Sequence, residues 1–397
     1  MGRQDLLVVA GEASGDLAGA RLLEELNKLV PEIRAFGLGG DDLIGVGFDA
    51  IARSSEISVV GIVEVARIYA RAREIFHELL REVDRRGARA AILIDFPDFN
   101  LRLAKALKQR GVKVLYYVSP QIWAWRKGRI ELMVKYVDSM LVLFPFEVEL
   151  YRRRGMDVVH VGHPLVDEVP EISQIWDDND GQRALRGDQD FTQLNSSLRV
   201  ALLPGSRVGE VERILPTMLE SVKLMRRRAP VYASIIRARP VALELFDNLI
   251  ARSGVDVEVE SSQDRFRVLA DSHLALCASG TATLEVGLTG TPLIMLYKTG
   301  FWSYWLARLL VKLPYYGLVN LVLGRQEVPE LLQYEATPEK ICAESWALLN
   351  DRDRIRTMRS ALSEIRGRLG KRGASGRAAA EVAQRLGRWG YVVAENS

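Results

Sequence analysis

Short apolar runs alternate along the chain with longer segments in which apolar residues recur every three or four positions. The short runs are typical of buried strands, and the longer segments are typical of helices that cover a sheet. Their alternation predicts doubly wound parallel α/β sheets. The runs form two groups, which predicts two sheets. The predicted strands are 6–10, a short strand just before Phe36, 90–94, 114–118, 140–144 and 158–161, then 200–203, 231–236, 255–259, 274–277 and 293–296.

Residues 171–198, between the two groups, are polar and weakly periodic. Such a stretch is typical of a connection between domains. We therefore expect an N-terminal domain over 1–170 and a C-terminal domain over 199–370. The expected fold class is α/β, with the ligand loops of the two sheets meeting at a central cleft.

The composition of the chain limits the cellular compartments and the classes of partner that are expected. The chain has 397 residues, a formal net charge of +3 and two cysteines, Cys277 and Cys342. Two cysteines build no disulfide framework, which indicates a reducing compartment, and the charge is too small to argue for nucleic acid. No signal peptide and no run of roughly 18 apolar residues is found. We expect a cytoplasmic protein, free or attached to a membrane surface.

A candidate anion-binding loop follows the strand 200–203. Pro204 and Gly205 break the strand, Ser206 and Arg207 follow, and a helical pattern begins after them. A strand, a glycine loop and a helix start direct free backbone N–H groups at an anion, and Arg207 adds a cation suited to phosphate. The alternative is an ordinary turn with a solvated arginine.

The first strand leads into a similar loop, Gly11-Glu12-Ala13-Ser14-Gly15-Asp16, before a helix. Ser14 or Asp16 can cap that helix. The loop is either a tight turn or a site for a polar or anionic ligand at the helix N-terminus.

A third loop, Ser279-Gly280-Thr281-Ala282-Thr283, follows the strand 274–277 and also opens a helix. Thr281, Thr283 and the backbone can bind phosphate, and Glu285 can accept from two sugar hydroxyls. Alternatively, Ser279 is only an N-cap and Glu285 lies on the surface.

Two carboxylates follow the strand 90–94, in the segment Asp95-Phe-Pro-Asp98-Phe-Asn100. Ligands of open α/β sheets gather at the carboxyl ends of the strands, so Asp95 is well placed to act as a base. Asp98 is its rival, or the cap of the next helix.

Aromatic residues are concentrated in two places. Trp123 and Trp125 lie two residues apart, and the segment 301–316 combines Trp, Tyr and Phe with cations. The tryptophan pair is explained either by packing or by a platform for a sugar or acyl group. The segment 301–316 either lines an acyl pocket or docks at a membrane interface, or it is a buried core helix.

Seven segments together resemble one family, the lipid-A-disaccharide synthases, which are two-domain glycosyltransferases of the GT-B type with Rossmann-like domains. The resemblance covers nearly the whole chain. The segments are 10–16, 61–65, 95–100, 117–126, 202–207, 278–285 and 324–333.

The resemblance implies a reaction: UDP-2,3-diacylglucosamine and 2,3-diacylglucosamine 1-phosphate give a β-1,6 disaccharide and UDP, at the inner face of the cytoplasmic membrane. It implies that the C-terminal domain holds the UDP-sugar and the N-terminal domain the acceptor. It also implies no cofactor and no bound metal, with cations and helix ends stabilising the departing UDP. As in related transferases, residues 371–397 are expected to form a helix that packs back on the N-terminal domain. The alternative is that this helix is exchanged between the two chains of a homodimer.

Roles for single residues follow from the resemblance. Asp95 matches the family's base, and Arg207 the residue that neutralises the diphosphate. Asn320 matches an asparagine in a loop that contacts substrate. The remaining implied contacts are Gly205, Ser206, Ser279, Gly280, Thr281 and Glu285 for UDP, and Gly11, Glu12, Ser14, Gly15 and Asp98 for the acceptor.

Two positions depart from the family pattern. Val319 replaces the usual proline beside Asn320, and the segment 36–42 lacks the expected Gly-Pro-Arg-like form. Both bear on the substrate more than on the chemistry. The competing hypotheses are a UDP-N-acetylglucosamine 2-epimerase and a non-catalytic protein of the membrane surface.

Overall fold

The structure is a computed structural model, and it describes residues 4–57, 65–120, 128–170, 197–299 and 315–392. Most of the 61–65 segment, the tryptophan pair, nearly all of the predicted connection and most of the 301–316 segment lie outside these ranges. The chain divides into two compact units, Met1–Pro164 with Gly370–Ser397, and Leu165–Leu369. Each unit is described by itself.

The first unit contains a seven-stranded sheet in which every neighbouring pair is parallel. Its spatial order is β3-β2-β1-β4-β5-β6-β7. The strands are β1 (Gln4–Ala10), β2 (Ile33–Gly39), β3 (Asp49–Arg53), β4 (Ala90–Ile94), β5 (Lys113–Tyr117), β6 (Ser139–Val142) and β7 (Asp157–His160).

Helices connect these strands and cover both faces of the sheet. They are α1 (Ala13–Leu29), α2 (Asp41–Gly45), α3 (Val65–Arg86), α4 (Pro97–Gln109), α5 (Gly128–Tyr136) and α6 (Pro145–Arg152), with a 3₁₀ turn at Ser54–Ile57. Because side chains alternate along a strand, each strand supplies both cores. Leu7, Val9 and Tyr116 pack with α3, α4 and α5 on one face, whereas Ile94 faces α1 at Gly19.

The second unit contains a six-stranded parallel sheet of order β10-β9-β8-β11-β12-β13. Its helices are α7 (Leu165–Glu168), α8 (Val208–Met225), α9 (Leu243–Ser253), α10 (Arg265–Ala270), α11 (Ala282–Thr289), α12 (Leu318–Leu323), α13 (Pro338–Leu349) and α14 (Arg352–Leu369), with a 3₁₀ turn at Gln333–Glu335. Its strands are β8 (Leu198–Leu203), β9 (Val231–Ile236), β10 (Glu258–Glu260), β11 (Leu274–Ala278), β12 (Leu293–Tyr297) and β13 (Glu330–Leu332).

The last helix, α15 (Ala374–Arg388), belongs to the first unit and packs on α1. Arg385 on this helix is almost completely buried, and its Nε donates to Ser139 Oγ over 2.5 Å and to Asp157 Oδ2 over 3.0 Å. Residues 165–170, which we expected in the first domain, lie in the second unit. Arg366 of α14 holds them there, because its guanidinium group donates to the carbonyl oxygens of Val166, Val169 and Pro170.

Both sheets have the strand order of a Rossmann fold, which confirms the predicted fold class of two doubly wound α/β domains. The order reverses between β1 and β4 in the first unit and between β8 and β11 in the second. The crossovers leave opposite faces at these points, so a crevice opens at the carboxyl edge of each sheet. The loops after these four strands, with the first turns of the helices that follow them, carry all the candidate residues except Asn320.

Local details differ from the sequence interpretation. Strands β3 and β13 were not predicted; each lies at the edge of its sheet. Leu17 of α1 is 39% exposed, whereas Leu22 and Leu23 of the same helix are buried. Among the described residues, no helix is both long and apolar enough to cross a membrane.

Candidate active site

The chain turns sharply where β4 ends in the first unit. Asp95 and Phe96 have φ angles of 45° and 47°, which is the left-handed region. For residues other than glycine this conformation costs about 1–3 kcal/mol each and needs support from the surroundings. The support is found at the Asp95 carbonyl oxygen, which accepts hydrogen bonds from the Tyr116 hydroxyl and, over 2.8 Å, from Asn100 Nδ2.

Glycines allow the loop after β1 to approach this turn. A Cβ atom on Gly11 would lie 2.3 Å from the Phe96 ring, so only glycine fits there. Gly15 packs over the end of β4, where its Cβ position is 3.6 Å from Ile94. Gly11 and Gly15 are buried, while Glu12 and Ser14 are exposed at the same edge. Gly11, Gly15 and Asp95 are thus brought together at the first switch point.

The surroundings of Asp95 change its acidity. Burial, and after it the nearby Glu12 carboxylate, raise the pKa of the Asp95 carboxyl to about 6, although a hydrogen bond from the Phe96 N–H lowers it. The carboxylate form is therefore lost as the pH falls through about 6. A general base is most effective with a pKa near the working pH, and Asp95 meets that condition.

Asp98, the rival carboxylate, has different surroundings. Helix α4 begins at Pro97, with Phe96 as its N-cap residue and no side-chain capping bond. Asp98 lies in the first turn, its side chain is 75% exposed, and it forms an ion pair with Arg129. The interpretation of Asp98 as a helix cap is wrong, because the helix starts before it.

Asp16 has a role that the sequence interpretation missed. The N-cap residue of α1 is Glu12, and no side chain caps this helix, so neither Ser14 nor Asp16 does. The buried Asp16 carboxylate instead accepts from the N–H of Gly40, over 2.6 Å, and from Asp42, over 3.0 Å. A carboxylate at the start of α2 satisfies N–H groups that have no helical partner. Asp16 thereby ties the 11–16 loop to the 36–42 segment.

In the second unit the loop after β8 has the predicted strand, glycine loop and helix. Gly205 has a φ of 117°, and Arg207 is the N-cap residue of α8. Ser206 and Arg207 are exposed, and Arg207 has no ion-pair partner within the described part of the chain. Glu210 Oε2 lies 3.3 Å from the Ser206 N–H, so one predicted anion donor already has a partner.

The loop after β11 is held by hydrogen bonds from its side chains to backbone carbonyl groups. Ser279 Oγ donates to the Tyr316 carbonyl over 3.2 Å, and Gly280 has a φ of 142°. Thr281, which is exposed, is the N-cap residue of α11, so the alternative of Ser279 as N-cap is wrong. The buried Thr283 donates its hydroxyl to the Gly280 carbonyl. Thr281 is therefore the threonine whose side chain faces solvent.

Glu285 lies neither on the open surface nor in the core. Its side chain is 19% exposed, and its Oε1 is 3.5 Å from Arg265 Nε. Arg265 also contacts Glu168 over 3.1 Å. Burial raises the pKa of Glu285, Arg265 lowers it, and Glu168 raises it again. Arg265 and Glu168 were not found from the sequence, because they come from α10 and α7.

We expected Asn320 in a loop, but it lies in the short helix α12. It is fully buried. Its Nδ2 donates to the Val328 carbonyl and to Glu330, each over 2.8 Å. Its Oδ1 accepts from the N–H groups of Glu327 and Val328, each over 3.0 Å. All four hydrogen-bonding positions of the amide are therefore used within the protein.

Glu330 extends this network to the loop after β11. Its carboxylate accepts from the N–H groups of Tyr316, over 2.8 Å, and Gly317, over 2.9 Å. These groups precede α12, where a carboxylate is favourable. Asn320 and Glu330 thus fix Tyr316, whose carbonyl holds Ser279. In the described ranges, no group of three or more His, Cys, Asp or Glu side chains is suited to a metal ion.

Solved structures define the class to which this architecture belongs. The UDP-GlcNAc 2-epimerase from Neisseria meningitidis has a TM-score of 0.60 at 12% identity and covers 97% of this chain and 100% of its own. MurG from Acinetobacter baumannii has a TM-score of 0.57 at 12% identity, with 96% and 100% coverage. At this identity the similarity concerns the fold alone, and the fold is of the GT-B type.

Sequence comparison gives the family. The family model described as lipid-A-disaccharide synthetase matches residues 6–384. The lipid-A-disaccharide synthase of Syntrophus aciditrophicus is 42% identical over 378 residues, or 94% of this chain and 96% of the relative. That of Geobacter metallireducens is 40% identical over 389 residues, or 96% and 97%. The chain belongs to the lipid-A-disaccharide synthase family and is a glycosyltransferase, as the resemblance predicted.

The Asn320 network predicts a loss of stability. Asn320→Ala leaves the Glu327 and Val328 N–H groups buried without their acceptor, and it should lower the free energy of unfolding by about 2–3 kcal/mol. Urea unfolding measures this change. Asn350→Ala, at the exposed end of α13, is the control and should change it by less than about 0.5 kcal/mol. Equal effects of the two substitutions would contradict the role assigned to the network.

Proposed function

We propose that this glycosyltransferase transfers the sugar of UDP-2,3-diacylglucosamine to 2,3-diacylglucosamine 1-phosphate, forming the β-1,6 disaccharide and UDP. Family membership over residues 6–384 carries this proposal. The relatives named lipid-A-disaccharide synthase support it at 40–42% identity over nearly their full length. An epimerase is not favoured, because the similarity to epimerases is one of fold at 12% identity.

We propose that the second unit binds the UDP-sugar at the switch point of its sheet. Arg207, with Gly205 and Ser206, binds the diphosphate, and Ser279, Gly280 and Thr281 supply further donors. The exposure of Arg207 and its lack of an ion-pair partner in the described ranges support this role. Glu285 accepts from the ribose hydroxyls, and Arg265, 3.5 Å away, partly opposes the rise that burial causes in the pKa of Glu285.

The acceptor is bound by the first unit in this proposal. Gly11, Glu12, Ser14, Gly15 and Asp98 line its site, beside Asp95. Asp95 is partly buried. Its pKa is about 6, which suits a base at neutral pH. The exposed Asp98 forms an ion pair with Arg129. In this proposal the pair contacts the acceptor.

The transfer is a single displacement at the anomeric carbon of the donor. Asp95 takes the proton of the acceptor 6-hydroxyl while that oxygen forms a bond to the anomeric carbon of the donor. The bond from this carbon to the diphosphate oxygen breaks, and its electrons leave with UDP. Attack opposite the leaving group inverts the anomeric configuration. Arg207 and the N–H groups of its loop stabilise the charge that develops on UDP.

Asn320 has an indirect role in this proposal. Its amide is saturated by protein groups, so it positions the Tyr316 carbonyl and Ser279 and does not contact substrate itself.

Because both substrates carry acyl chains, we also propose that the protein acts at the inner face of the cytoplasmic membrane. The homodimer and the helix exchange stay predictions.

Asp95→Asn tests the base. It should lower kcat by about 10²- to 10⁴-fold, the range of general base catalysis, and leave the affinity for UDP unchanged. Activity of the unaltered protein should fall as the pH drops through about 6, because Asp95 becomes protonated. Steady-state kinetics from pH 5 to 8 measure both effects. Asp98→Asn is the comparison; if it loses more turnover than Asp95→Asn, the base has been assigned to the wrong carboxylate.

Arg207→Ala tests the diphosphate site. Loss of charge-assisted hydrogen bonds should weaken UDP binding by about 10- to 100-fold. Calorimetric titration with UDP measures it. Arg227→Ala serves as the control, because Arg227 is exposed just beyond the other end of α8. UDP affinity that is the same in both variants would remove Arg207 from the donor site.

A further inference from the structure

The turn at Asp95 contains two consecutive left-handed residues, and one of them is an aromatic residue. Aspartate tolerates this conformation better than most residues, but phenylalanine does not. The residue type therefore favours this geometry at Asp95 but not at Phe96. Contacts from outside the turn must hold it, and strained conformations of this kind gather at functional sites.

Two side chains from different elements converge on one atom of the turn. Tyr116 comes from β5 and Asn100 from α4, and neither has any exposed surface. Both donate to the carbonyl oxygen of Asp95, and Asn100 Nδ2 also lies 3.2 Å from the Ile94 carbonyl. A carbonyl oxygen has two lone pairs, so this acceptor is saturated.

The convergence fixes the peptide that follows Asp95. The Asp95 N–H donates to the Tyr117 carbonyl over 3.0 Å, so the other end of the residue is held by the sheet. The Phe96 ring lies against Gly11, at the position that a Cβ atom would occupy. With both ends of Asp95 fixed, its side chain can leave the backbone in one direction.

We propose that Tyr116 and Asn100 are positioning residues of the transfer reaction. By donating to the Asp95 carbonyl they hold the left-handed turn, and the turn directs the Asp95 carboxylate at the acceptor hydroxyl. The inference rests on the proposed role of Asp95 as the base. Neither residue contacts substrate; each acts through the backbone of Asp95.

Tyr116→Phe tests the inference, because it removes one oxygen atom and keeps the ring. We expect kcat to fall by about 10- to 100-fold, since a displacement of about 1 Å in a reacting group has an effect of this size. The KM for both substrates should stay within about twofold, because the binding loops keep their contacts. Asn100→Ala should show the same separation of kcat from KM.

Tyr117→Phe is the matched control. Tyr117 is equally buried and adjacent, but its side chain leaves the opposite face of β5. It should keep the kcat of the unaltered protein. If Tyr116→Phe also keeps it, or if kcat and KM change together in both variants, the positioning role is wrong.

A double variant separates this inference from the proposed function. In a chain that carries Asp95→Asn, no base remains to be positioned, so adding Tyr116→Phe should change the residual kcat by less than about twofold. A further loss as large as in the unaltered background would mean that Tyr116 acts elsewhere, and would overturn the inference. Full turnover by Asp95→Asn alone would instead refute the base itself.

Discussion

All strands of a parallel sheet end at one edge, and a crevice opens there only where the crossovers change direction. This constraint acts twice in the chain, between β1 and β4 and between β8 and β11. The sheets, with their buried alternating side chains, fix where the four loops begin. Each unit therefore presents one pair of loops, and the chemistry depends on what those loops carry.

The protein satisfies many polar groups of these loops itself. Asp16 accepts N–H groups at the start of α2, Glu330 accepts those before α12, and Glu210 contacts the Ser206 N–H. Such bonds hold glycine-rich loops in one conformation, which is a condition for binding a ligand in a preformed site. Six of the candidate residues are exposed: Glu12, Ser14, Asp98, Ser206, Arg207 and Thr281.

The sequence predicted the architecture because apolar periodicity and loop residues are local signals. The predicted bounds of β1, β4, β5, β8 and β11 agree closely with the observed ones. They therefore located Asp95, Arg207 and Glu285 at the carboxyl edges of the two sheets. The sequence did not predict what supports them. Tyr116 reads as an ordinary strand residue, and Arg265 as a helix residue, because their partners lie in other elements. The saturated amide of Asn320 likewise depends on Val328 and Glu330, which a linear pattern does not connect.

The reaction assigned to this protein joins two acylated sugars. The most direct test is the release of UDP from UDP-2,3-diacylglucosamine in detergent, measured with and without 2,3-diacylglucosamine 1-phosphate. We predict release that depends on the acceptor and equals the amount of β-1,6 disaccharide formed. Release that does not depend on the acceptor, or conversion of the donor into an isomer without release of UDP, would contradict the account.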